Sequence, residues 1–232
     1  SGTSWTNFIQ FRGANTRIDH MKFDASAASS VRVGVWATSD TSTAADGVVD
    51  NNTWLNARGV VYGNSGNLAQ ANSIVHTPGS TIASGSFTGV VYFEDNTFTH
   101  NAMSLNCIDS NYASRYVFRY NTTTNCLLEA HSLSGGTRGS VSWETYNNSW
   151  TTSTAYFTCM NMRGGTGLAY SNTCSSSYTS VAVLDNRRSF QSFSTPMGVG
   201  DGRSDWVGIS SLGWPCRDEF GWNAETTLWS VV

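Results

Sequence analysis

The residues best suited to chemistry in this chain are a glutamate and a histidine two positions apart, Glu129 and His131. On a strand, residues i and i+2 share a side, so carboxylate and imidazole would stand together. Asp109 offers a second carboxylate and Asp185 a third. A glycoside hydrolase needs two carboxyl groups about 5–10 Å apart, as acid and as base or nucleophile. A polysaccharide lyase needs a base for the proton α to a uronate carboxylate, a role open to His131. Arg163, Arg138 and Arg187 could clamp that carboxylate through bidentate contacts. Tyr156 could protonate the leaving oxygen, and Asn161 falls in the same register as Asp109 and Asp185. Glu129, His131 and Asp109 are therefore the candidate catalytic residues. Arg163, Arg138, Tyr156, Asn161, Asp185 and Arg187 are the candidate substrate-binding residues. The competing reading is a solvated surface on which Arg163 and Arg187 pair with Asp185.

These residues depend on a repeat to bring them together. A short motif recurs at Asn51-Asn52-Thr53-Trp54, Asp95-Asn96-Thr97-Phe98, Tyr120-Asn121-Thr122-Thr123, Asn147-Asn148-Ser149-Trp150 and Ser171-Asn172-Thr173-Cys174. Aligning Asn52, Asn96, Asn121, Asn148 and Asn172 gives spacings of 44, 25, 27 and 24 residues. Short strands repeating every 20–30 residues or so are the signature of a solenoid. An Asn at one place in each rung predicts a ladder of stacked amides, with Met21 in the same slot of an earlier rung. Two positions later stand Trp54, Phe98, Thr123, Trp150 and Cys174, a set suited to filling the centre of a coil. A second strand is expected about ten residues after each Asn, with Leu105, Cys107, Phe157, Cys159, Val181 and Val183 pointing inward. Counting from the Asn then predicts outward columns: Ser104, Glu129, Tyr156 and Ser180; Asn106, His131, Thr158 and Ala182; Asp109, Asn161 and Asp185. A further column, Asp50, Glu94 and Arg119, reads as a row of ion pairs. No segment has a sustained helical period.

Composition narrows the classes. Of 232 residues, 39% are hydrophobic and only 12% charged, with a formal charge of −3 and no basic run. That excludes a nucleic-acid groove. No apolar run is long enough to span a bilayer. The N-terminal Ser1-Gly2-Thr3-Ser4 lacks the regions of a signal peptide, as in a mature form or fragment. A single lysine, Lys22, among abundant Ser, Thr and Asn fits an extracellular or cell-surface protein. The five cysteines, Cys107, Cys126, Cys159, Cys174 and Cys216, contain no Cys-x-x-Cys pair, so no zinc site is expected. Cys107 and Cys159 share a rung offset two coils apart, beyond disulfide reach. They read as small core residues, leaving Cys126, Cys174 and Cys216 as the pool for one bridge.

The rungs Phe93-Glu94-Asp95-Asn96-Thr97-Phe98 and Val117-Phe118-Arg119-Tyr120-Asn121-Thr122 resemble those of right-handed parallel β-helix proteins of the pectate-lyase-like superfamily. The segment Trp214-Pro215-Cys216-Arg217-Asp218 is similar to one in uncharacterised bacterial members. The resemblance implies fold and not activity, because this fold carries lyases, hydrolases, tailspikes, adhesins and ice-binding proteins. The aspartate clusters of pectate lyases and the Gly-His-Gly and Arg-x-Lys blocks of polygalacturonase-like hydrolases are absent, so no active-site residue carries over.

The expected architecture is all-β: a right-handed parallel β-helix over residues 1–193 with an internal Asn ladder. Residues 194–232, with Trp206, Trp214, Trp222 and Trp229, form an aromatic C-terminal cap. The expected function is a secreted carbohydrate-active protein. It binds a polysaccharide or cell-surface glycan along a groove on the coils and, as an enzyme, cleaves it as a lyase or hydrolase. No metal or cofactor is implied. The alternative is a noncatalytic surface or fibre module, such as a tailspike shaft, adhesin or filament subunit, forming homo-oligomers. A third reading is an ice-binding face on the Thr pairs Thr97/Thr99 and Thr122/Thr124.

Overall fold

The computed structural model describes residues 7–28, 30–38, 45–63, 89–102, 105–111, 114–130, 140, 142–163 and 166–184, with two short strands at 222–223 and 228–229. The first coil contains β1 (Asn7–Phe11), β2 (Thr16–Asp19) and β3 (Lys22–Asp24). The second contains β4 (Arg32–Thr38), β5 (Gly47–Asp50) and β6 (Thr53–Leu55). The third contains β7 (Ala57–Tyr62), β8 (Val91–Glu94) and β9 (Thr97–Thr99). The fourth contains β10 (Leu105–Asn111), β11 (Arg115–Arg119) and β12 (Thr122–Thr124). The fifth contains β13 (Cys126–Ala130), β14 (Ser142–Tyr146) and β15 (Ser149–Thr151). The sixth contains β16 (Tyr156–Met162), β17 (Thr166–Tyr170) and β18 (Thr173–Cys174), and β19 (Tyr178–Leu184) opens a seventh. A separate antiparallel pair joins β20 (Trp222–Asn223) to β21 (Leu228–Trp229).

Each strand pairs in parallel with its counterpart one coil away. The result is three parallel sheets, of seven, six and six strands. The first sheet runs β1-β4-β7-β10-β13-β16-β19; the second joins β2 to β17, and the third joins β3 to β18. The described residues contain no helix, and none that could cross a membrane. The arrangement is that of a parallel β-helix solenoid, in which each coil buries its apolar face on the next.

The corner between the second and third sheets is built the same way in every coil. Its first residue takes a left-handed backbone at His20, Asn51, Asp95, Tyr120, Asn147 and Ser171. The next residue is the slot of the repeat. Asn52 Nδ2 donates to Asn96 Oδ1, Asn96 Nδ2 to Asn121 Oδ1, and Asn121 Nδ2 to Asn148 Oδ1, each at 3.1 Å. Asn148 Nδ2 donates to Asn172 Oδ1 at 3.0 Å. The Met21 backbone N–H donates to Asn52 Oδ1 at 2.9 Å, so Met21 occupies the slot of the first coil. Each Asn Nδ2 also donates to a carbonyl of the preceding coil: Ile18, Val49, Phe93, Phe118 and Thr145 in turn. An amide suits this place because it offers donor and acceptor at once to backbone groups that would otherwise be buried unpaired.

Two residues past the slot, Phe23, Trp54, Phe98, Thr123, Trp150 and Cys174 stand opposite one another along the interior. Trp54 stacks on Phe98 with centroids 4.8 Å apart. From the second sheet, Phe93 and Phe118 join the same core. Glycine makes room for these rings: a Cβ on Gly59 would sit 2.7 Å from the Phe93 ring and 2.6 Å from Ile108. On the outer side of the third sheet Thr53, Thr97, Thr122, Ser149 and Thr173 form one column.

The cysteine expectation needs correction. Cys107 bonds to Cys126 and Cys159 to Cys174, both as disulfides. Cys107 does not need its counterpart two coils away, because the adjacent strand brings Cys126 to a Cα distance of 5.3 Å, inside disulfide reach. Cys159 reaches across the inside of its own coil to Cys174. Cys216 lies outside the described residues, as does most of the expected cap.

The corner between the third and first sheets holds Asn56, His100 and Asn125 in successive coils, all buried. His100 is 1% exposed, and its Nε2–H donates to Ala57 O at 3.1 Å, leaving Nδ1 deprotonated and without a partner. Burial, aided by the charge of Arg58, holds its pKa below the ordinary 6.5 despite the Ala57 hydrogen bond. Below pH 6.5 the unfolded chain takes up this proton before the folded chain does, so stability declines as the pH falls towards the folded-state pKa. His100→Asn, which copies the neighbouring coils, is expected to remove this component and to flatten the loss of stability below pH 6.5. Urea denaturation of both proteins at neutral and mildly acidic pH measures it; parallel pH dependences would refute it.

Candidate functional site

The outward face of the first sheet gathers the polar candidates. Strand alternation turns Cys126, Leu128 and Ala130 into the core and sends Leu127 and Glu129 to the other face. Glu129 is nonetheless only 8% exposed. Asn106 on β10 donates to its Oε2, Asn161 on β16 donates to Oε1 at 3.4 Å, and Arg163 forms an ion pair with Oε1. Three consecutive coils thus contribute amide, carboxylate, amide and guanidinium to one connected patch. Asp109, also on β10, faces Arg58 of β7 at 3.4 Å. Both carboxylates therefore meet a guanidinium, and both pairs are largely shielded from water, where an ion pair is costly to break.

The register extends this patch into a row. Gln10 stands opposite Trp36, Trp36 opposite Val60, and Val60 opposite Asp109. Beyond the Ile108–Leu128 pair follow Glu129, Asn161 and Val183. Near the first coils this face turns apolar: Val33, Trp36, Val60 and Tyr62 line a small recess. Trp36 meets Tyr62 edge-on at 5.7 Å, and its indole N–H has no hydrogen-bond partner. No sequence signal marked this recess, because the count from the asparagines did not place β4 and β7, on which its members lie.

The expected columns on this sheet are corrected by the structure. Glu129 pairs with Asn161, while Tyr156 stands opposite Tyr178 and Thr158 opposite Ser180. Tyr156 packs against the core and Phe157 is exposed, the reverse of the expected facing. The cause lies in the corners. One residue, Asn125, joins β12 to β13, whereas residues 152–155 join β15 to β16. In addition, Cys159 and Met160 both face the core, with the Thr158 hydroxyl donating to Met160 O at 2.9 Å. A slip of one residue turns a strand over. Tyr156 still senses Glu129: burial first, then the carboxylate's charge, raise its phenol pKa. His131, Arg138, Asp185 and Arg187 lie outside the described residues.

On the second sheet the expected ion-pair column is present and extended. Arg17 donates to Asp50 through Nε at 3.2 Å and Nη2 at 2.7 Å. Arg119 donates from Nε to Glu94 Oε2 at 2.6 Å and from Nη1 to the Tyr146 hydroxyl at 2.8 Å. Comparison with protein-family models, curated proteins and solved structures finds no match for this chain.

Proposed function

We propose that this protein is a secreted carbohydrate-binding β-helix that holds a polysaccharide across the coils on the outward face of its first sheet. The observation that carries this reading is the outward row of Trp36, Val60, Asp109, Glu129 and Asn161, joined by Arg163. It combines an aromatic recess with amide, carboxylate and guanidinium groups, the set that matches the apolar faces and hydroxyls of a sugar chain. The row crosses the strands, so a polymer lying along it meets one coil after another, about 4.8 Å apart. His131, Arg138, Asp185 and Arg187 belong to the same proposal on sequence grounds.

Binding fits better than cleavage. A glycosidase sets two carboxyl groups in different environments, whereas Glu129 and Asp109 each already face an arginine. The two disulfides support an oxidising, extracellular setting. We take the coil to be right-handed, the hand of nearly all parallel crossovers, and residues 194–232 to be its cap.

The test is a panel of neutral and acidic polysaccharides in affinity electrophoresis, with ultraviolet-absorbing and reducing-end products assayed in parallel. Wild type is expected to bind at least one glycan. Asn106→Ala with Asn161→Ala is expected to weaken it about tenfold or more. No binding anywhere on the panel would overturn the reading. Turnover that survives Glu129→Gln with His131→Ala would exclude catalysis at this site. The noncatalytic fibre reading has its own support: Phe8 on the first coil and Val181 and Leu184 on β19 are exposed. Concentration-dependent filaments without glycan binding would replace our reading with that one.

A further inference from the structure

The column on the second sheet carries a feature that the proposed site does not use. Glu94, Arg119, Tyr146 and Tyr170 stand opposite one another on β8, β11, β14 and β17. Tyr146 and Tyr170 lie parallel, 4.7 Å apart with 6° between planes. Tyr120 meets Tyr146 edge-on at 5.9 Å. The Arg119 guanidinium lies 5.4 Å, 5.8 Å and 5.9 Å from the Tyr92, Tyr120 and Tyr146 rings. Tyr146 is buried, but Tyr120 and Tyr170 remain 49% and 47% exposed.

Tyr120 is out of place by local preference. Its φ is 58°, in a corner that other coils give to His20, Asn51, Asp95, Asn147 and Ser171. Asn and Asp tolerate a left-handed backbone, whereas a bulky aromatic does so at a cost. Strain of this kind persists where surroundings impose it, and it concentrates at ligand sites. Tyr120 meets the edge of the Tyr146 ring and Tyr170 lies flat on it, contacts that reduce the side-chain freedom left to lose on binding.

Charge narrows the occupant. Arg119, the cation beside the tyrosines, faces Glu94, and at the far end of the column Arg17 faces both Asp50 and Asp19. Arg119 also lies over the negative faces of the tyrosines, which disfavours a second cation there. What remains is a pair of aromatic faces with hydroxyl rims, two coils apart, or about 10 Å. We infer that Tyr120 and Tyr170 form a second platform, on which a neutral saccharide stacks its rings, with Tyr146, Arg119 and Glu94 as the base. This rests on the carbohydrate reading above but places the ligand on a different sheet.

Calorimetry of the full chain with neutral β-linked oligosaccharides, and with oligogalacturonides as the acidic comparison, tests it. Tyr170→Ala and Tyr120→Asn are each expected to weaken neutral-ligand binding about tenfold or more. Tyr120→Asn should do so without loss of thermal stability, because Asn suits the corner; a merely structural Tyr120 would give the opposite pattern. Binding within about twofold of wild type in both variants would overturn the platform. So would wild-type binding of the acidic ligand alone, or of neither. Loss of binding in the Asn106→Ala, Asn161→Ala protein with full retention in the tyrosine variants would reject the platform and keep the first-sheet site. The reverse result would keep the platform and reject that site.

Discussion

Asn121→Ala is expected to destabilise the fold by about 3–5 kcal/mol, because it leaves several buried groups without partners at roughly 1–3 kcal/mol each. Asn121 is 0% exposed. Its Oδ1 accepts from the Asn96 backbone N–H at 2.9 Å and from Asn96 Nδ2 at 3.1 Å. Its Nδ2 donates to Phe93 O at 2.9 Å and to Asn148 Oδ1 at 3.1 Å. Alanine removes all four bonds, and the packed interior leaves water no ready way to replace them. Urea denaturation reads the loss, and amide exchange at Asn96 localises it: that N–H should lose protection first. A change below about 1 kcal/mol would mean that the amide column contributes little and that the aromatic interior alone holds the coils in register.

The second large effect is expected at Arg163. Arg163 and Glu129 are a shielded ion pair, their side chains 11% and 10% exposed. Arg163→Met leaves the Glu129 carboxylate facing Asn106 and Asn161 without the cation, and breaking such a pair costs about 3–5 kcal/mol. The double variant Arg163→Met, Glu129→Met removes both charges and should recover most of that loss. It should also fold without binding glycan, if the row is the binding surface. A single variant as stable as wild type would show that the pair is effectively solvated. A double variant as unstable as the single would show that packing of the guanidinium stem, and not charge, is what matters.

Much of the architecture was legible in the residue order, and the reason is local. The corner between the second and third sheets has one length in every coil: a left-handed residue followed by the slot. Counting from Asn52, Asn96, Asn121, Asn148 and Asn172 therefore predicts both adjoining strands. The interior column from Trp54 to Cys174 and the row from Asp50 through Glu94 to Arg119 stand where that count puts them. Tyr120 was visible as the one aromatic in the corner position, but its meaning needed the rings of Tyr146 and Tyr170 beside it.

The first sheet resisted the same arithmetic, and the proposed site lies there. Its strands follow corners of unequal length, Asn125 alone in one coil and residues 152–155 in the next, and irregular pairing near Cys107 adds a further shift. Offsets from the asparagine lose phase across such corners. Glu129 thus meets Asn161 and not Tyr156, and Cys107 finds Cys126 next door. An amide column is a backbone requirement repeated from the second coil to the sixth, so it leaves a period in the chain. Which side chains meet across unequal corners depends on how the core packs, and a shift of one residue there exchanges the inner and outer faces of a strand.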